Sequence, residues 1–175
     1  RTLERFGHTV RLMAPQFVAP YRKNDKNDRN DAAAICEAVG RPNMRFVPIK
    51  EVEPQAVLTL HRARALLVSE CTALVNHIRG LLSEYGLVVA QGVGKVRAAL
   101  PQILEDGDNG LPAMAREVFA DLQARLRRCD EHLAAYDARV VQLGRTSEPA
   151  QRLIRVEGVG PRTATAITAT VGDAR

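Results

Sequence analysis

Residues 57–86 read VLTLHRARALLVSECTALVNHIRGLLSEYG, with apolar positions at steps of three and four: Val57, Leu60, Leu67, Cys71, Leu74, Ile78 and Leu81. That period belongs to one face of an α-helix. Arg64 is the one polar interruption and Gly86 ends the run. Taken from Glu53, the pattern predicts a helix of roughly 33 residues, ~50 Å at 1.5 Å per residue. The spacing returns in Ala115, Val118, Leu122, Leu126, Cys129, Leu133, Tyr136, Val140 and Leu143. Between the two runs, Gly86, Gly92, Gly94, Pro101 and the turn EDGDNG (105–110) leave room for one short helix near Lys95–Leu104. Two long helices with a compact connection predict a long antiparallel α-helical coiled coil over residues 51–146. Plain core packing of an elongated domain would use most of the same apolar positions.

Beyond GRTSEP (144–149) the chain reads LIRVEGVGPRTATAI from Leu153 to Ile167. An apolar helix end, then Gly158-Val-Gly160, then a helix opened by Pro161 has the form of a helix-hairpin-helix turn. Glycines permit the sharp turn, and free N–H groups at the second helix can face a phosphate. Arg155 and Arg162 would add charge beside Gly158 and Gly160. A tight connection between two packed helices explains the same residues. On the long helices, Arg62, Arg64, Asn76, Arg79, Arg125, Arg127 and Arg128 suit either a solvated face or contacts with a nucleic-acid backbone.

Upstream of the helices, RTLERFGH resembles a helix end with Gly7 as cap, and Val10, Leu12 and Ala14 alternate as in a short strand. Pro15 and Pro20 bracket a loop, Asp31–Gly40 reads as a short helix, and Met44–Ile49 reads as a second strand. Strand, loop, helix and strand within residues 1–50 fit a piece of an α/β domain, since two strands do not make a free-standing sheet. After that loop comes KNDKNDRND (23–31), three copies of basic-Asn-Asp. Asp28 and Asp31, three apart at the mouth of a helix, can point to one side of its first turn and meet a hard cation such as Mg²⁺. Aspartate is equally at home as a helix N-cap or in a first turn. A two-metal phosphodiester site needs about four acidic ligands, and only this pair is visible.

Composition narrows the classes. Hydrophobic residues at 46% and charged residues at 26% are those of an ordinary globular protein. Aromatics at 4% with no Trp give an aliphatic core and no stacking platforms for single-stranded bases. The formal charge of +5 favours a polyanionic partner. Cys36, Cys71 and Cys129 are too scattered for a zinc site or a disulfide framework, which points to a reducing cytosol. His8, His61, His77 and His132 are equally scattered, and His61 and His77 read as helix-surface residues. No apolar run approaches the ~20 residues that span a bilayer. The chain opens on Arg and closes on VGDAR, so both ends read as cut.

KNDRNDAAAICEA, RPNMRFVPIK, LHRARALLVSECTALVNHIRGLLSEYG and LIRVEGVGPRTATAITATVGD, in this order, resemble successive blocks of the DEDD-type insertion-sequence transposases. That family includes members that use a bridge RNA to select DNA, and the pilin-inverting recombinases are related. The resemblance runs over nearly the whole chain. It implies a mixed fold: part of an α/β RuvC-like (RNase H-like) domain at 1–50, the coiled coil at 51–146, and the start of a helix-hairpin-helix-containing α domain at 147–175. It implies DNA strand exchange in a bacterial cytoplasm, Mg²⁺ as cofactor, DNA and in some members a guide RNA as partners, and homo-oligomers joined through the coiled coil.

The family's closing acidic pair is a DxxD just before a helix, preceded by Lys or Lys-Asn. That pattern falls on Asp28 and Asp31 as catalytic and metal residues, with Asp25 a bystander; a register slip to Asp25 and Asp28 would leave Asp31 as a simple cap. The family's first Asp, its Glu and its nucleophilic Ser have no counterpart here. Glu4 is in the wrong context, and Ser69, Ser83 and Ser147 fit no nucleophile motif. The resemblance therefore implies an internal fragment, inactive alone. The rival from another class is a non-catalytic nucleic-acid-binding coiled-coil and helix-hairpin-helix module.

Overall fold

A computed structural model of the chain describes residues 2–23 and 25–171. The described residues are mostly helical, with one small two-stranded sheet. They form two compact units, Arg1–Glu51 and Val52–Arg175.

In the first unit, α1 (Thr2–Arg5) ends where Gly7 takes a φ of 81°, a conformation that spares glycine the Cβ clash. The strands expected around Leu12 and Phe46 are short: β1 (Leu12–Met13) pairs antiparallel with β2 (Phe46–Val47), Leu12 opposite Val47. Proline opens α2 (Pro15–Val18), which runs into a 3₁₀ turn at Ala19–Tyr21. The principal helix, α3 (Asp28–Val39), packs beside α2 and that turn, and buries only Ala34 and Ala38. Larger apolar side chains, among them Phe6 (75% exposed), Leu12, Ile35 and Phe46, stay open to solvent.

The second unit is built on α4 (Val52–Glu84) and α6 (Ala113–Thr146), bridged by α5 (Val93–Glu105). Arg64 meets Asp137 and Tyr85 meets Phe119 edge-on, so partner numbers fall on α6 as they rise on α4 and the helices run antiparallel. Leu74, Val75, Ile78 and Leu82 of α4 form a continuous core with Val96, Leu100, Leu111, Phe119 and Leu126, and Cys71 is also buried on α4. One expected core position is corrected: Val118 is exposed and its neighbour Phe119 takes the interior. At 3.6 residues per turn a stripe drifts, and the larger ring occupies the position nearer the partner helix. Pro101 lies within α5 without ending it.

The antiparallel pair carries α7 (Glu148–Ile154) and α8 (Pro161–Val171) at the end where α4 begins. Gly144 of α6 is buried there, and a Cβ on it would stand 3.0 Å from the Pro161 Cβ and 3.4 Å from the Ile154 Cδ1. A side chain at 144 would hold the α7–α8 turn off α6.

Candidate functional site

The repeat 23–31 resolves into a cap and a pair. Asn27 is the N-cap of α3, its Oδ1 accepting from the Asn30 N–H at 2.8 Å, and its carbonyl accepts from the Asp31 N–H at 2.9 Å. Asp28 and Asp31 therefore lie inside the first turn and neither caps it. Both favour the helix dipole. The Asp28 carboxylate is exposed and has no hydrogen bond or ion pair to another described residue. Asp31 is half-buried, with the Arg22 Nη1 at 3.8 Å from its Oδ1. Asp25 supplies only its backbone carbonyl, which accepts from the Asn30 side-chain amide at 2.8 Å. Asp31 opens into a hollow of about 490 Å³ with an apolar floor that includes Leu12, Val18 and Ile35, and Arg11, Arg22 and Lys26 at its edge.

As metal donors the two carboxylates have the right chemistry for Mg²⁺, which binds through one or two carboxylates with waters and substrate phosphates. Among the described residues no group of three or more His, Cys, Asp or Glu converges, so a two-metal set is not complete within them. The Cys71 thiol is held in its protonated form: burial, with the Cys129 thiol alongside, pushes it up to about 11. Of the serines, Ser83 donates to the Gly80 carbonyl at 2.6 Å, and Ser147 is the N-cap of α7.

The α4 residues separate by environment. Arg62 and Asn76 are exposed, whereas Arg64 is 13% exposed and gripped by Asp137, Nε to Oδ1 at 2.6 Å and Nη2 to Oδ2 at 3.1 Å. This two-pronged bond holds the Asp137 carboxyl below the ordinary carboxylate range. Arg79 donates through Nη1 to the Asn76 Oδ1 at 3.2 Å, and its Nε is buried with no described partner.

In the α7–α8 turn, Gly158 has a φ of 81°. Gly160 lies just before Pro161, and its carbonyl accepts from the Ala164 N–H at 3.0 Å. A Cβ at either glycine would meet nothing within 4 Å, so this backbone is open to approach from outside. Arg155 and Arg162 flank the turn and are exposed.

His61 is not the surface residue the sequence suggested. It is half-buried, because α8 lies across this part of α4. The Thr165 hydroxyl donates to the Pro161 carbonyl at 2.8 Å, so the His61 Nε2–H donates to the Thr165 oxygen at 3.0 Å. Burial, then Arg64 and Arg162, lower its pKa and keep the ring neutral. Neither this tie nor the pairing of Arg97 with Asp130 between α5 and α6 has a local sequence signal, since each joins distant segments.

Comparison with known proteins gives the context. The family model of DEDD transposases of the IS110 type, described as "Transposase", matches residues 2–87. The "Probable family 20 transposase" of Pseudomonas aeruginosa is 45% identical over all of this chain and 52% of its own length. The "Transposase for insertion sequence element IS1111A" of Coxiella burnetii is 43% identical over 99% of this chain and 48% of its own. The corresponding protein of element IS1328 in Yersinia enterocolitica is 32% identical over 100% and 52%. The chain thus spans about half the length of the curated relatives it matches. No solved structure matches it. By sequence, the chain belongs to the DEDD transposases of insertion sequences.

Proposed function

We propose that the chain acts within a DNA transposase, with residues 1–50 part of a RuvC-like domain and Asp28 and Asp31 two of its metal-holding acids. The observation that carries this reading is the cap at Asn27. Because Asn27 holds the N-cap position of α3 and its side chain accepts from the Asn30 N–H, neither aspartate is needed as the cap. Their carboxylates would hold Mg²⁺, whose chemistry is to stabilise charge on a phosphodiester undergoing exchange. Arg22 and Lys26 beside Asp31 draw the phosphate backbone towards the carboxylates.

The second unit serves DNA in this reading. The α4–α6 pair is the coiled-coil part of the transposase and α7–α8 its helix-hairpin-helix. Open backbone at Gly158 and Gly160, with Arg155 and Arg162 alongside, suits a sequence-independent phosphate contact. Arg62, Asn76 and Arg79 face DNA from α4, while Arg64 contributes by locking α4 to α6. The coiled coil also joins protomers, with Leu66, 61% exposed on α4, in the contact.

A transposition assay in cells tests the catalytic assignment. Asp28→Asn and Asp31→Asn, each placed in the complete transposase, reduce transposition to background, and Asp25→Asn leaves it intact. Retained transposition in both of the first two variants would sink the assignment.

A further inference from the structure

The outer face of α6 is charged in an order that helix stability does not require. Arg125, Arg128, His132 and Arg139 recur at steps of three, four and seven, which places them on one face. All four are exposed, whereas Phe119, Leu126, Val140 and Gly144 turn inward. From Arg125 to Arg139 the stripe runs ~21 Å. Its continuation toward α5 is acidic, with Glu117 and Asp121. Charge is thus sorted along one face, acid at the α5 end and base toward α7.

An alternating face would gain from i,i+4 pairs, and like charges at that spacing cost about 0.2–0.5 kcal/mol each. Asp121 stands four residues before Arg125, yet neither Arg125 nor Arg128 has an ion pair with a described residue. Arg139 lies over the Tyr136 ring, 5.8 Å from its centre. Arg127 is set apart: it lines a small hollow with Arg97 and Asp130.

We propose that this stripe is a docking surface for the phosphate backbone of duplex DNA. The proposal rests on the transposase reading and adds a surface that reading does not use. Charge complementarity is the first argument, because duplex DNA carries one negative charge per ≈ 1.7 Å of axis. The second is that the aromatic ring on this face, Tyr136, is half-buried and lies under Arg139, which leaves no open platform for the stacking that single strands need. A straight cationic edge without stacking groups fits a regular duplex backbone and reads no bases.

The test is fluorescence-anisotropy binding of a labelled duplex of arbitrary sequence to the full chain, across a salt series. Arg125→Gln, Arg128→Gln and Arg139→Gln combined lower the slope of log affinity against log salt by about 3 in magnitude, at 0.9 per phosphate contact. Lysine at the same three positions keeps the slope, as does Arg127→Gln. An unchanged slope in the glutamine variant overturns the proposal, and so does an equal fall with Arg127→Gln. A larger effect on a folded RNA than on duplex DNA also overturns it. Asp28→Asn with Asp31→Asn retains the full slope, so a failed metal site and a failed stripe are told apart.

Discussion

The two units spend their side chains differently. From Val52 onward, leucines, valines and a phenylalanine close a continuous core, and two arginines are bound into carboxylate forks that strap the helices together. Before that point Ala34 and Ala38 alone are buried among the described residues, larger apolar groups lie open, and Arg22 approaches Asp31 no closer than 3.8 Å. Helices long enough to share a buried seam hold themselves. A short helix beside a two-residue ladder does not bury enough apolar area to do so.

The sharpest way to break this contrast is to remove core from each side. Phe119→Ala is expected to cost about 3–5 kcal/mol in urea unfolding of the second unit. Phe6→Ala, at an exposed position, is expected to stay within about 0.5 kcal/mol. Equal losses would mean that the first unit has a core of its own. Next in size is Gly144→Val, about 1–3 kcal/mol from overpacking against Pro161 and Ile154. Hydrogen exchange should show α8 losing protection while the middle of α4 keeps it.

The Arg64–Asp137 fork is worth less, about 1 kcal/mol, because the carboxylate is 47% exposed and screened. Its pKa is depressed, so its contribution is present above the unfolded carboxylate value of about 3.9 and is lost as pH falls below it. Asp137→Asn should flatten the acid limb of a stability–pH curve. His61 is also depressed, so it favours the folded state fully only above about 6.5 and loses that contribution as pH falls. His61→Gln should remove that small, separate slope. In the first unit, Asn27→Ala should cost about 1 kcal/mol, and Asp28→Asn should change stability very little. A larger loss from Asp28→Asn would return that aspartate to a structural role.

The long helices were legible because their signal is periodic: many residues between Val57 and Leu143 vote for the same face. The short strands were read only roughly, and the small helices at Pro15–Val18 and Ala19–Tyr21 were read as a loop, since a few residues carry little periodicity. At the site, the spacing of Asp28 and Asp31 pointed to the first turn of a helix, but the identity of the cap did not follow from composition. Asn, Asp and Ser compete closely for that position, and local backbone geometry chose Asn27. The fate of Arg64 and His61 depended on α6 and α8, 73 and 104 residues away, and no local rule reaches that far.

The most direct test of the central claim is cleavage of the chain itself by Fe²⁺ substituted for Mg²⁺, with ascorbate and peroxide generating hydroxyl radical at the metal. The account predicts backbone cuts clustered around residues 28–31, suppressed by excess Mg²⁺, lost with Asp28→Asn plus Asp31→Asn and retained with Asp25→Asn. Cuts scattered along the chain, or a cluster that survives the double substitution, would contradict it.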